Sequence, residues 1–250
     1  MQIDVKGKRV VIAGGSKGIG RSIALAFAEA GAAVSICARG AAALEATRGE
    51  MAKFGGVAHA ASCDLSKEAD IASYVPVAAA ALGGIDVLVN NATGYGWGDD
   101  EASWEQSIAV DVLAAVRASR VAMPHLLAHG GSIINIASGS GLNPSVRTPA
   151  YGAAKAAVIH YTRTQAATLI SKGIRVNCVA PGSIEFPGGI WANRKEKEPA
   201  VYAAALASCP NGRMGTPEEV ANVVVFLASP LASWVTAQII SVNGGQGLPR

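Results

Sequence analysis

Seven short apolar runs recur along the 250 residues, each of strand length and each separated from the next by a longer stretch with helical periodicity. They are Arg9 to Ala13, Ala33 to Ala38, Val57 to Ser62, Ile85 to Asn90, Ser132 to Ala137, Arg175 to Ala180 and Ile239 to Val242. These runs are rich in Val and Ile and are not broken by regularly spaced polar residues, as expected of strands covered on both faces. Strand and helix in strict alternation predict an α/β chain, a doubly wound parallel sheet of about seven strands with helices on both faces. No solenoid repeat and no Ser/Pro linker divides the chain, so residues 1–250 read as a single domain.

Composition narrows the partners. Half the residues are apolar and 16% are charged, which supplies a core and excludes disorder. Lys and Arg number 21 against 18 Asp and Glu, a net charge of +3, so no basic face for nucleic acid is expected. The stretch from Val220 to Pro249 lacks charge, but Asn222, Ser229, Pro230, Ser233, Thr236 and Gln238 divide it into pieces too short to span a bilayer. It reads as a buried helix followed by a strand. The opening MQIDVKGKRV has no apolar block followed by a cleavage site, which makes the cytoplasm the expected compartment. Cys37, Cys63, Cys178 and Cys209 lack CxxC spacing and read as buried thiols. His125 and His129 lie four apart without the Glu of a zinc-protease motif, so no metal site is expected.

Thr216-Pro217-Glu218-Glu219 marks a helix start, with Thr216 as cap and Glu219 at the capping-box position, and Ser103 to Gln106 is a second capping-box candidate. Residues 184–213, with Pro187, Gly188, Gly189, Pro199 and Pro210 around the charged run Arg194 to Glu198, read as an excursion outside the sheet. A mobile substrate lid and a solvated surface helix both fit that composition.

After the first run comes Ala13-Gly14-Gly15-Ser16-Lys17-Gly18-Ile19-Gly20, leading into a helix that ends at Gly31. Glycines in a first βα turn let the backbone approach a pyrophosphate at a helix N-terminus, although a tight turn alone also uses them. The second run ends Ile36-Cys37-Ala38-Arg39, with no carboxylate to accept bonds from a ribose 2′-OH. Arg39 offers a planar fork for a 2′-phosphate, and Lys17 can add a second charge. Solvated cations are the plainer reading of both. The pair points to NADP as cofactor.

Tyr151-Gly152-Ala153-Ala154-Lys155 follows Thr148-Pro149, a cap and first-turn proline, so the phenol and the ammonium share a helix face. An ammonium near a phenol stabilises the phenolate and brings its proton within reach of carbonyl and alcohol chemistry. Ser138, 13 residues before Tyr151, ends the fifth run, where the active groups of open α/β sheets collect.

The chain resembles the short-chain dehydrogenase/reductase family over essentially its whole length. The matching pieces are Gly14/Gly18/Gly20, Asp64-Leu65, Asn90-Asn91-Ala92, Ser138, Tyr151/Lys155 and Pro181-Gly182. The resemblance implies a Rossmann fold, Tyr151 as general acid or base, Lys155 also binding the nicotinamide ribose, and Ser138 orienting the reacting oxygen. It implies that Asp64 and Leu65 flank the adenine, that Asn91 lines the cofactor cleft and that Ile184 touches the nicotinamide end. Gly14, Ser16, Lys17, Gly18, Ile19, Gly20 and Arg39 complete the expected cofactor contacts. A homo-oligomer, dimer or tetramer, is implied in the same way.

Five positions depart from the family pattern: Ala13 for Thr, Thr93 for Gly, Asp111 for Asn, Ala237 for Gly and Phe186 for Thr. Ala13 and Ala237 read as packing variants, while Thr93 and Phe186 are expected to weaken cofactor contacts. Trp104, Ile108, Asp111 and Ala115 fall at helical spacing, so a core-facing stripe is expected to carry a carboxylate. Asp111 then either keeps the family Asn's role of holding a proton-relay water, with Lys155 as indirect counter-charge, or is a structural acid paired elsewhere. Tyr95, Trp97 and Gly94 to Gly98 read as a flexible aromatic loop, either contacting substrate or merely lying at the surface. Two functions fit: an NADP(H)-dependent oxidoreductase acting on a small-molecule carbonyl or alcohol, and a silent NADP-binding sensor or scaffold.

Overall fold

In the computed structural model, which describes residues 3–247, the chain forms the expected parallel sheet. The ends of the 1–250 domain, residues 1–2 and 248–250, lie outside the described residues. The chain runs β1 (Arg9–Ala13), α1 (Gly18–Glu29), β2 (Ala33–Ala38), α2 (Ala41–Ala52), β3 (Ala58–Ser62), α3 (Glu68–Leu82), β4 (Val87–Asn90) and α4 (Glu101–Ser107). It continues through a π-helical turn (Ile108–Leu113), α5 (Ala114–His129), β5 (Gly131–Ile136), α6 (Pro149–Leu169) and β6 (Ile174–Pro181). Next come α7 (Ile190–Lys197), α8 (Pro199–Ala207), α9 (Pro217–Ala228) and β7 (Ile239–Val242). Strand order is β3-β2-β1-β4-β5-β6-β7, so the winding reverses between β1 and β4. At such a reversal the loops beyond the strand ends diverge and leave a crevice for a ligand.

Each central strand feeds two cores. Val10 and Ile12 of β1 face one layer with Val87 and Val89 of β4, packed against α1, α2 and α9. Val11 and Ala13 face the other with Leu88, packed against α3, α5 and the end of α6. No face of these strands meets water, which is why the sequence shows unbroken apolar runs. Among the described residues no helix is long and apolar enough to cross a membrane. All four cysteines are buried and unpaired as disulfides.

Three local expectations need correction. The helix at residue 101 is capped by Asp100, whose side chain accepts the Ser103 N–H at 3.0 Å, so Ser103 sits inside the first turn. Asp suits that place because it satisfies a free N–H and its charge complements the helix dipole. The stripe Trp104, Ile108, Asp111, Ala115 is not a single buried face. Asp111 and Ala115 are buried but Ile108 is exposed, because the π-helical turn widens the offset between successive residues. Ala237 is more than a packing variant. It has φ of 60°, in the left-handed region where a Cβ is strained, so the usual glycine answers a backbone demand.

The Thr216–Glu219 capping box forms as expected. Glu219 accepts the Thr216 N–H at 2.8 Å and pairs with Arg213, and chiefly that guanidinium draws its carboxyl from 4.5 to about 2. A depressed carboxylate stabilises the fold above its unfolded value and loses that contribution as pH falls toward the folded one. Glu219→Gln should therefore lower the urea midpoint at neutral pH, with the difference from the parent shrinking between about pH 4.5 and pH 2. In the core, Phe27 of α1 is fully buried against the α9 layer. Phe27→Ala should cost about 3–5 kcal/mol, read as a lower urea midpoint at unchanged slope.

Candidate active site

At the carboxyl ends of the strands the cleft opens to about 1300 Å³. The β1–α1 loop forms one wall. Asn91 donates its amide to the Gly14 carbonyl at 2.6 Å and so ties the loop after β4 to the glycine loop. A Cβ at Gly20 would collide with that same carbonyl, which is why the residue must be glycine. Lys17 is the N-cap of α1 and makes no side-chain cap bond, so the first N–H groups of the helix are not capped by it. An open glycine cradle at an uncapped helix start suits a pyrophosphate.

Gly14, Ser16, Lys17, Ile19, Gly20, Arg39, Asp64, Leu65, Asn91, Ser138, Tyr151, Lys155 and Ile184 all line this one cleft. Gly18 is absent from that lining because the Phe186 ring lies against it. Lys17 and Arg39 are exposed at the β2 end of the cleft and make no ion pair among the described residues. Asp64 takes the Ser66 hydroxyl at 2.8 Å and the Ser66 N–H at 3.1 Å, bonds that lower its carboxyl from the ordinary range.

α6 begins at Pro149 with Thr148 as N-cap, although the Thr148 hydroxyl bonds Ser145 at 2.6 Å instead of capping. Its first turns carry Tyr151, half-buried on the cleft, and Lys155, 2% exposed beneath it. The ammonium lies 5.6 Å from the Tyr151 ring centroid and donates to the Ile136 carbonyl at 3.0 Å. It is also 2.9 Å from Asp111 Oδ1. Both partners of that pair are almost wholly buried. Burial pushes Lys155 down, but the Asp111 carboxylate and the Tyr151 phenol outweigh it and hold the ammonium above its ordinary value.

The expected indirect pairing of Asp111 with Lys155 is thus replaced by a direct one. The acid is not paired elsewhere. Its other oxygen accepts the Gly94 N–H at 2.9 Å. Asp111 Oδ1 has no aligned hydrogen bond among the described residues, and neither does Asn90 Oδ1; both residues line a cavity of about 10 Å³, the scale of one water molecule.

Ser138 ends β5 and its hydroxyl accepts the Ser140 N–H at 3.1 Å, which turns the chain into the cleft. The excursion 184–213 folds as α7 and α8 outside the sheet, with Ile184, Phe186 and Trp191 reaching the cleft. One site feature escaped the sequence reading and one was left open by it. The Ile136 carbonyl that holds Lys155 is backbone and carries no side-chain signal. The Trp97 loop, which the sequence left between substrate contact and the surface, lies on the cleft, with the indole centroid 4.9 Å from that of Tyr151.

A solved short-chain type dehydrogenase/reductase from Mycobacterium marinum aligns with a TM-score of 0.89 at 32% identity, over 100% of both chains. The family model described as Enoyl-(Acyl carrier protein) reductase matches residues 13–246. The chain belongs to the short-chain dehydrogenase/reductase family. Among family members, 2-(S)-hydroxypropyl-CoM dehydrogenase 3 of Xanthobacter autotrophicus is 36% identical over 247 residues, 96% of this chain and 97% of the relative. A solved 7α-hydroxysteroid dehydrogenase, in complex with NADH and 7-oxo glycochenodeoxycholic acid, aligns with a TM-score of 0.90 at 34% identity over 99% of this chain and 98% of that one. As a short-chain dehydrogenase/reductase the protein is an oxidoreductase that works with a nicotinamide cofactor, and its Rossmann-type sheet is the expected one.

The direct pair has a measurable consequence. Asp111→Asn removes the main charge that opposes burial at Lys155, so the lysine should titrate at lower pH than in the parent. Isotope-labelled lysine Cε resonances followed against pH should show that downward shift, with the alkaline limb of the turnover profile moving acidward in parallel. An unmoved Lys155 resonance would show that the carboxylate does not set the charge.

Proposed function

We propose that this enzyme is NADP(H)-dependent and moves a hydride between the nicotinamide and the carbon of a carbonyl or secondary alcohol, with Tyr151 as general acid or base. The observation that carries this reading is the buried ammonium of Lys155, fixed by Asp111 and the Ile136 carbonyl beside a phenol that opens on the cleft. The nicotinamide, when bound, supplies or accepts the hydride. Gly14, Ser16, Ile19 and Gly20 would hold the pyrophosphate, Gly18 being covered by the Phe186 ring, Asp64 and Leu65 would flank the adenine, and Asn91 and Ile184 would line the nicotinamide end.

In the direction of reduction, the Ser138 hydroxyl holds the substrate oxygen and Tyr151 gives its proton to that oxygen as negative charge develops there. In oxidation the Tyr151 oxygen takes the proton back. Lys155 favours the phenolate through its fixed positive charge and also holds the nicotinamide ribose. Asp111 acts on this chemistry by keeping the ammonium charged and in place. α7 and α8 would serve as a lid over the substrate. Arg39 and Lys17, free of ion pairs among the described residues, support a 2′-phosphate, since β2 ends without a carboxylate and the nearby Asp64 is already bonded to Ser66. A silent sensor is not favoured, since Ser138, Tyr151 and Lys155 are intact and the relatives are named as dehydrogenases and reductases. A homo-oligomer, dimer or tetramer, belongs to the same reading.

A panel of ketones and secondary alcohols, followed by absorbance of the reduced nicotinamide, tests the activity. Turnover with NADPH on at least one ketone is expected, and Tyr151→Phe should lower kcat by about 10²-fold or more. NADPH binding without turnover on any member would overturn the assignment. Arg39→Asp should shift the ratio of Kd values toward NADH by roughly tenfold, the scale of one charge-assisted contact. A parent enzyme that already binds NADH more tightly than NADPH would refute the 2′-phosphate reading.

A further inference from the structure

The loop between β4 and α4, which composition marks as flexible, is clamped along its whole length. At its start the Gly94 N–H donates to Asp111 Oδ2 at 2.9 Å. In the middle the Gly96 carbonyl accepts the Ser107 hydroxyl at 3.2 Å, and a Cβ at Gly96 would strike the Ser103 carbonyl, so the backbone lies directly on α4. At its end the Gly98 N–H donates to the Ser103 hydroxyl at 3.1 Å, and that hydroxyl is itself bonded to Asp100 at 2.9 Å. Between the clamps Tyr95 is held at φ of 59°, a left-handed conformation that a tyrosine adopts only when its surroundings dictate it.

The clamped loop presents one side chain to the reacting phenol. Trp97 meets the Tyr151 ring edge to face, with centroids 4.9 Å apart and planes at 62°, and the Tyr95 ring packs tilted on the indole with centroids 5.4 Å apart. Edge-to-face contact is directional, so it restrains the tilt of the phenol as well as its position. The same carboxylate that holds the start of this loop also holds Lys155.

We propose that Trp97 is a positioning residue for Tyr151: the loop latched to Asp111 and α4 fixes the indole against the phenol ring, so that phenol and ammonium meet the substrate as one rigid unit. The inference rests on the catalytic reading of Tyr151 given above. Asp111 thereby orients both halves of the pair, the ammonium directly and the phenol through the loop. A reacting group misplaced by a fraction of an ångström loses rate with little loss of binding, so the effect belongs in kcat.

Two measurements test this on the full-length enzyme. The first is kinetic: Trp97→Ala should lower kcat roughly three- to tenfold, the scale of one ring contact, with KM for NADPH unchanged, and Trp97→Phe should restore most of the loss. The second needs no turnover. With 3-fluorotyrosine incorporated and the Tyr151 signal assigned by its absence in Tyr151→Phe, the fluorine resonance of Tyr151 should shift and broaden in Trp97→Ala and return toward the parent in Trp97→Phe. Unmoved signals from Tyr74, Tyr161 and Tyr202 in the same spectra establish that the variants are folded.

A Trp97→Ala enzyme with the parent's kcat and only a raised KM for the ketone would overturn the inference and make Trp97 a pocket wall. Equal losses in the Ala and Phe variants, or a Tyr151 resonance indifferent to both, would overturn it as well. A parent enzyme that turns over no ketone defeats the catalytic reading instead, and the fluorine spectra then decide whether the indole fixes the ring.

Discussion

The buried pair of Lys155 and Asp111 is the interaction on which the site depends. Removing two charges from water costs several kcal/mol per ion, and their attraction offsets this only when the remaining polar atoms are bonded. Here the Ile136 carbonyl takes one ammonium hydrogen and the Gly94 N–H serves the second carboxylate oxygen. These partners come from the end of β5 and the loop after β4, so the pair forms only once the sheet has assembled in register. Folding and the electrostatics of the cleft are thereby linked through one contact. Without Asp111 the burial that encloses Lys155 would work against its charge with less to oppose it; with Asp111 the same burial insulates the charge from solvent screening.

The π-helical turn follows from this need. An uninterrupted helix from Glu101 to His129 would keep Ile108 and Asp111 on neighbouring positions of one stripe. The wider turn at Ile108–Leu113 separates them, leaving Ile108 exposed while Asp111 is buried. Turns of this kind recur at functional sites because they re-aim a single side chain without ending the helix.

What could be read in the sequence was local or periodic. All seven strands were legible, since a strand covered on both faces must be apolar throughout, and the glycine loop and the Tyr151/Lys155 pair were legible because their chemistry lies within a few residues. The excursion showed itself by prolines and charges that no buried strand tolerates. The direct contact between Asp111 and Lys155 was not legible, because it joins residues 44 apart whose meeting depends on an i+5 turn that no periodicity announces. Trp97 was ambiguous for a related reason. Glycines that signal mobility when exposed signal close approach when a helix lies beneath them, and only the position of α4 separates the two. Ala237 was misjudged because a backbone dihedral leaves no trace in a single residue name.

Phe186 joins two regions that the sequence treats separately. Its ring lies over Gly18 and Gly189, so the excursion is seated on the glycine loop at the start of α1. The other end of that seat is the bridge between Ile184 and Gly215 at the foot of α9. Glu185, between them, accepts the Tyr202 hydroxyl at 2.8 Å and faces Lys195, which ties α7 and α8 to the same short segment. A polar residue at 186 would have offered a hydrogen bond to the cleft; the phenyl ring substitutes an apolar seat for it. The segment that carries α7 and α8 is therefore packed on the glycine loop at the first turn of α1, so one stretch of chain shapes both ends of the cleft.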